Sequence, residues 1–321
     1  MNASVNTGMR HEREVQSCLV VVAVLSRFCS LALVWCLFWC TFWGFSAIAH
    51  AGSDAVTDKP KPIEVDTESR KRYPKVASIN LCADQFLLAL ADPGQILSLT
   101  NLSHDTAGSY YADKARAYPT NKGYAEEVLA LAPDLIIAGE YTNRYTLQQL
   151  KASGIPVAQL GIANSVEQVL NNIVSVSEWI EQTARGEAMV KALRVRLDAI
   201  EKPASDFRRA AIYDPNGYTV GRNSLRGDIL ERAGWVNVAA EQNIDSYGVL
   251  SLETLIRLKP DMLLESPYSP GTFSRAQRLN EHPVLKHAKL AFDVIRVPSA
   301  QTICGGPWTV DLIERLSLDT R

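Results

Sequence analysis

Glu126–Ile137 reads EEVLALAPDLII and Glu253–Leu264 reads ETLIRLKPDMLL. Four residues recur at one offset: Glu126 with Glu253, Leu131 with Leu258, Pro133 with Pro260 and Asp134 with Asp261, each pair 127 positions apart. Each copy predicts the same unit, a short amphipathic helix followed by an apolar strand. The proline marks the boundary, because it cannot continue a helix and biases the residue before it away from the helical region. Solenoid repeats run roughly 20–50 residues, far shorter than this period. The repeat instead predicts two similar α/β lobes, and a cleft between two lobes is a natural place to hold a small molecule.

Outward from the first copy, Lys75–Ile79 reads as a strand. A helix follows to Leu90, with Asn80 as its N-cap candidate and Asp92-Pro93-Gly94 as its stop. Ile96–Leu99 is a second strand. After the repeat come a helix over Thr146–Ala152 and a strand over Ile155–Leu160. Strands that alternate with helices predict mainly parallel sheets. The first lobe is expected at 73–163 and the second at 206–321. The second lobe contains a strand at Ala210–Tyr213, a helix at Ser224–Ala233, the second copy, a strand at Val294–Val297 and a closing helix from Trp308. Between the lobes, Ser165–Ile200 holds no proline and only Gly186, with apolar residues at helical spacing (Val166, Val169, Leu170, Ile173, Val176, Ile180). This predicts one long connecting helix within 164–205, or two helices joined at Gly186.

The N-terminal part differs in kind. Phe28–Phe45 is uncharged, apolar and aromatic, with Arg10, Arg13 and Arg27 before it and Ala47-Ile48-Ala49-His50-Ala51 after it. This is the pattern of a secretory signal over 1–51, cleaved after Ala51 or Ala49. Retention as a membrane anchor is the alternative, since the run approaches the ~18–20 residues of a spanning helix, and Met9 is an alternative start. A lipoprotein anchor fits poorly, because Trp35 and Trp39 precede Cys36 and Cys40. Residues 52–72 are polar and proline-bearing and read as a flexible tether. A net charge of −2 with no basic stripe argues against nucleic acid. Cleavage leaves two of the six cysteines, Cys82 and Cys304. They are an inter-lobe bridge, free buried thiols, or ligand contacts.

Two α/β lobes joined by a helical segment behind a signal peptide resemble the periplasmic substrate-binding proteins of ABC importers for iron complexes and cobalamin, the class with a helical backbone. The carriers are KVASINLCADQ (75–85), EEVLALAPDLIIAG (126–139), VGRNSLRGDILERAGWVNVA (220–239) and SLETLIRLKPDMLLES (251–266). Their order and spacing carry the resemblance over nearly all of 73–321, and they say little about the ligand. The resemblance implies a monomeric periplasmic protein that holds an iron–siderophore, haem or cobalamin-type chelate as cargo and delivers it to a permease and ATPase complex. No resident cofactor is implied. It also implies that Glu126 and Glu253, seven residues before each proline, dock on the permease. The alternative for each acid alone is a helix-terminus charge favoured by the dipole.

The cleft that the resemblance implies lies at strand ends and helix starts. In the first lobe these positions are Leu81, Cys82, His104, Tyr110, Tyr111 and Tyr141. In the second they are Tyr218, Arg222, Arg226, Cys304 and Trp308. Aromatic rings suit a large flat or polycyclic ligand, and arginines suit anionic oxygens. Arg226, in a first helical turn, calls for a compensating anion, either the ligand or Asp228.

No nucleophile elbow, dinucleotide fingerprint or P-loop is present, so an enzyme is not expected. His282 and His287 stand five apart around Pro283 and do not share a helical face, and a binder of bare metal would need more ligands. The rival from another class is an envelope redox protein that uses Cys82 and Cys304 as a dithiol pair.

Overall fold

The computed structural model describes residues 73–201, 208–266, 275, 276, 280, 282–288 and 292–318. The expected signal and tether lie outside them. Among the described residues no helix is long and apolar enough to cross a membrane.

The first sheet contains β1 (Val76–Ser78), β2 (Ile96–Thr100), β3 (Thr120–Asn121), β4 (Leu135–Gly139) and β5 (Val157–Leu160) in the order β3-β2-β1-β4-β5. All its pairings are parallel. The second sheet contains β6 (Arg209–Ile212), β8 (Val236–Asn237), β10 (Met262–Glu265) and β11 (Asp293–Arg296) in the order β11-β10-β6-β8, again parallel. A two-stranded antiparallel ribbon, β7 (Tyr218–Val220) with β9 (Tyr247–Val249), stands apart. The described helices are α1 (Leu81–Leu90), α2 (Ala112–Ala115), α3 (Ala125–Leu129), α4 (Arg144–Ala152), α5 (Val166–Trp179), α6 (Thr183–Asp198), α7 (Leu225–Arg232), α8 (Leu252–Leu258), α9 (Pro283–Ala288) and α10 (Trp308–Leu318).

The two copies of the repeat open β4 and β10, in different sheets. Their likeness extends to single bonds. Asp134 accepts from the Lys75 amide at 2.8 Å, while its own amide donates to the Lys75 carbonyl at 2.8 Å. Asp261 does the same with Arg209, at 2.7 and 2.8 Å. Each aspartate thus clasps the start of the neighbouring strand and sets its register. The residue before each proline, Ala132 or Lys259, has positive φ (48° and 46°). Proline denies that residue the right-handed helical region, and here both escape into the left-handed one, which ends the helix.

The central strands of both sheets, β1 and β4 in one and β6 and β10 in the other, are buried on both faces, as parallel sheets require. Along β6 the side chains alternate: Ala210 and Ile212 join the large central core, and Ala211 joins a separate cluster with Tyr213, Leu255 and Leu263. The central core runs from Phe86 and Leu87 of α1 through Leu170 and Ile173 of α5 to Ile229 of α7 and Ile313 of α10. It therefore joins both halves of the molecule.

The connection is not one long helix. The chain turns at Ile180-Glu181-Gln182, where Glu181 has φ +58°, and α6 folds back along α5. Arg194 then pairs with Glu167, Nη1 to Oε2 at 3.1 Å. Gly186 is not the break. It lies inside α6 against α5, where a Cβ would fall 2.0 Å from the Ser177 hydroxyl. The turn is fixed by tertiary bonds. Gln182 Nε2 donates to Gln95 Oε1 (2.6 Å) and Asp92 Oδ2 (3.0 Å), and Gln95 Nε2 donates to the Ile180 carbonyl (2.9 Å). Arg185 adds an ion pair to Asp92 at 2.7 Å.

Candidate ligand cleft

The carboxyl ends of β1, β4 and β5 in one half face those of β6 and β10 in the other across a cavity of about 820 Å³. Ligands of open α/β sheets bind at this end of the strands. Ile79, Asn80, Cys82 and Phe86 line it from β1 and α1, and Gly139, Glu140, Tyr141 and Asn143 from the β4–α4 connection. Asn172 of α5 contributes at the junction. The facing wall holds Asp214, Ser224, Arg226, Tyr247, Ser266 and the Thr302–Gly305 turn.

Local structure presents these groups. Asn80 caps α1, its side chain accepting from the Ala83 amide at 3.0 Å. Gly139 lets the end of β4 come close to it, since a Cβ there would fall 2.3 Å from Asn80 Nδ2. Asn143 caps α4 through Tyr145 (2.8 Å), and Ser224 caps α7 through Gly227 (3.1 Å). Arg226, in the first turn of α7, donates from Nη2 to Asp214 Oδ2 at 2.6 Å, both side chains largely buried. The other oxygen of Asp214, Oδ1, is buried without a hydrogen-bond partner. Glu140 accepts from the Ile162 amide at 3.2 Å. With Lys122, the described lining carries two cations and two anions. Tyr141 and Tyr247, 82% and 73% exposed, stand on opposite walls.

Of the residues expected at the site, the cavity gathers Cys82, Tyr141, Arg226 and Cys304. Cys82 and Cys304 are joined by a disulfide, so of the three readings the structure selects the bridge. The anion beside Arg226 is Asp214. Asp228 instead holds Arg232 at 3.0 Å and caps α5 through the Val166 amide at 2.6 Å. The described lining does not include Leu81, His104, Tyr110, Tyr111, Tyr218, Arg222 or Trp308. Leu81 starts α1 next to Cys82. His104 Nε2 lies 3.1 Å from the Ala115 carbonyl, tying the loop to α2. Tyr110, Tyr111 and Trp308 pack on one another, Trp308 being 2% exposed. Arg222 lines a separate depression with Glu231 and Trp235. Tyr218 is an exposed residue of the ribbon.

Asn143, Asn172, Asp214 and Tyr247 were not foreseen. Asp214-Pro215-Asn216-Gly217 carries turn residues and no cleft signal, and nothing in the sequence around Tyr247 announces the ribbon that carries it to the cleft. Glu126 and Glu253 both lie exposed in first turns, of α3 and α8. Hydrogen bonds from its own amide and from Ser251 hold the Glu253 carboxyl below its usual range. Among the described residues no group of three or more His, Cys, Asp or Glu is placed to hold a metal ion, and His282 and His287 are exposed.

Two sequence relatives and one solved structure show the likeness. The cobalamin-binding protein of Halobacterium salinarum is 27% identical over 212 residues, which are 63% of this chain and 55% of that protein. The vitamin B12-binding protein of Vibrio parahaemolyticus is 25% identical over 187 residues, 56% of this chain and 67% of that one. The chain thus spans little more than half the length of the first of these. A periplasmic haem-binding protein from Pseudomonas aeruginosa superimposes with a TM-score of 0.62 at 22% identity, over 78% of this chain and 93% of that one, a likeness of fold. The family model for periplasmic binding proteins matches residues 76–290, two-thirds of the sequence, and the chain belongs to that family.

Proposed function

We propose that the chain is the solute-binding subunit of an ABC importer, and that it holds a cobalamin-type chelate in the cleft and hands it to a membrane permease and its ATPase. The observation that carries this reading is the cleft itself: an open cavity at the carboxyl ends of two parallel sheets, lined by apolar side chains, amides and hydroxyls, with its four charges balanced. Arg226 is already neutralised by Asp214, which disfavours a polyanionic siderophore. Asn80, Asn143, Asn172 and Thr302 suit the amide-bearing rim of a corrinoid, and Tyr141 and Tyr247 suit its faces. The names of the two sequence relatives agree with that choice.

In this reading the metal travels inside the chelate as cargo. The protein works as a monomer in the periplasm, carries no resident cofactor and makes no bond. Glu126 and Glu253 are the two docking acids, one per lobe. The redox alternative is not favoured by the family, and Cys82 and Cys304 fit a structural bridge. Native mass spectrometry of the protein from its own periplasm, followed by exchange against cyanocobalamin, haem and a ferric siderophore, tests the reading. One corrinoid per chain is expected. A protein that takes haem or the siderophore in its place, or none of the three, refutes it.

A further inference from the structure

Cys82 is the second residue of α1, in the half built on the first sheet, and Cys304 lies in the turn before α10, in the other half. Their bridge spans 222 residues of sequence, with Cα atoms 5.3 Å apart, and both residues line the cleft. The covalent link therefore sits where the two walls meet. Four residues on, the Trp308 ring stacks on Tyr110 of the first half, centroids 4.5 Å apart at 14°, with the edge of Tyr111 at 5.5 Å. Gly306 makes room for that ring, since a Cβ there would fall 2.3 Å from it. Gly305 seats the turn on α5, where a Cβ would fall 2.3 Å from the Val169 side chain.

We propose that the Cys82–Cys304 disulfide is a positioning element of the ligand site: it sets the separation of the cleft walls, so ligand exchange proceeds by movement at the Tyr141–Tyr247 mouth. A bridged pair does not exceed a Cα separation of about 7 Å. At the bridge the walls can then part by less than about 2 Å from the present 5.3 Å. Without the bond that point is held only by packing, and rotation of one lobe on the α5–α6 pair opens the cleft throughout its depth. The part of this proposal that concerns ligand exchange rests on the binding function above. The part that concerns wall spacing does not.

The test separates the two. p-Acetylphenylalanine placed at exposed Lys151 and Glu231, one on each half, accepts a dye pair without using cysteine. Inter-lobe distances are then measured in ligand-free protein in three states: oxidised, reduced with dithiothreitol (which leaves as its cyclic disulfide and returns two thiols), and Cys82→Ser/Cys304→Ser. The distance distribution should broaden in the last two, well below the melting temperature. Release of bound cyanocobalamin should quicken by about tenfold with little change in association. Superimposable distributions would overturn the wall-spacing claim. Broadened distributions with an unchanged release rate would overturn the claim on ligand exchange. Failure of even the oxidised protein to bind cyanocobalamin would count against the proposed function, and the ligand-free distances would still decide the spacing claim.

Discussion

Asp84 is the most constrained ionisable residue in the first lobe. It is fully buried on α1 and accepts from the Thr100 amide (3.1 and 3.2 Å) and hydroxyl (2.5 Å). Burial outweighs these bonds and raises its pKa from 3.8 to about 7. Between those values the folded protein keeps a proton that the unfolded chain has lost, so stability falls as pH rises through that window. Asp84→Asn is expected to flatten that slope, by on the order of a few kcal/mol in all at neutral pH. Thermal melts at stepped pH would check it, and an unchanged slope in the variant would assign the dependence to other groups. Glu126 and Glu253 make a different demand. Glu126→Arg or Glu253→Arg should leave chelate affinity unchanged and lower cellular uptake by about tenfold or more, because charge complementarity governs association with a partner. Wild-type uptake by both would reduce the two acids to helix-terminus charges. Their equivalence was legible from the 127-residue offset alone, whereas the hydrogen bonds that pull down the Glu253 carboxyl appeared only with the Ser251 cap in place.

At the scale of elements, the repeat foretold most, because a local cause produced it. Proline ends the helix wherever it stands, and the aspartate after it reaches a strand start in both sheets. The break between α5 and α6 was illegible for the opposite reason. Ile180-Glu181-Gln182 carries no proline or glycine, and the bonds that turn the chain come from Asp92 and Gln95, far away in sequence. Apolar spacing continues through the break because both helices bury a face in the same core. The sequence offers Gly186 as the joint between two helices, whereas its use is close packing on Ser177. Gly186→Ala should therefore destabilise the protein by about 1–3 kcal/mol through overpacking. Gly94→Ala, where a Cβ meets nothing within 4 Å, serves as the control. Equal denaturation midpoints for the two variants would contradict the packing account.

At the scale of the whole molecule, two parallel sheets share one core, a folded-back helix pair and a disulfide, and they leave a cleft at the carboxyl ends of their strands. The lobes and the cleft followed from strand–helix alternation and the repeat. The lining followed only in part. Cys82, Tyr141, Arg226 and Cys304 sit where strand ends and helix starts converge, whereas the rings of Tyr110, Tyr111 and Trp308 pack on one another across the lobes and are not part of the described lining. Sequence marks an aromatic residue near a cleft but does not say which neighbour its ring will cover. The central claim is that this cleft holds one cobalamin-type chelate. Calorimetric titration of the purified protein with cyanocobalamin, beside the Tyr141→Ala/Tyr247→Ala variant, tests it most directly. One-to-one binding is predicted, weakened about tenfold or more when the two rings are lost. No saturable binding, or an affinity indifferent to the loss of both rings, would contradict it.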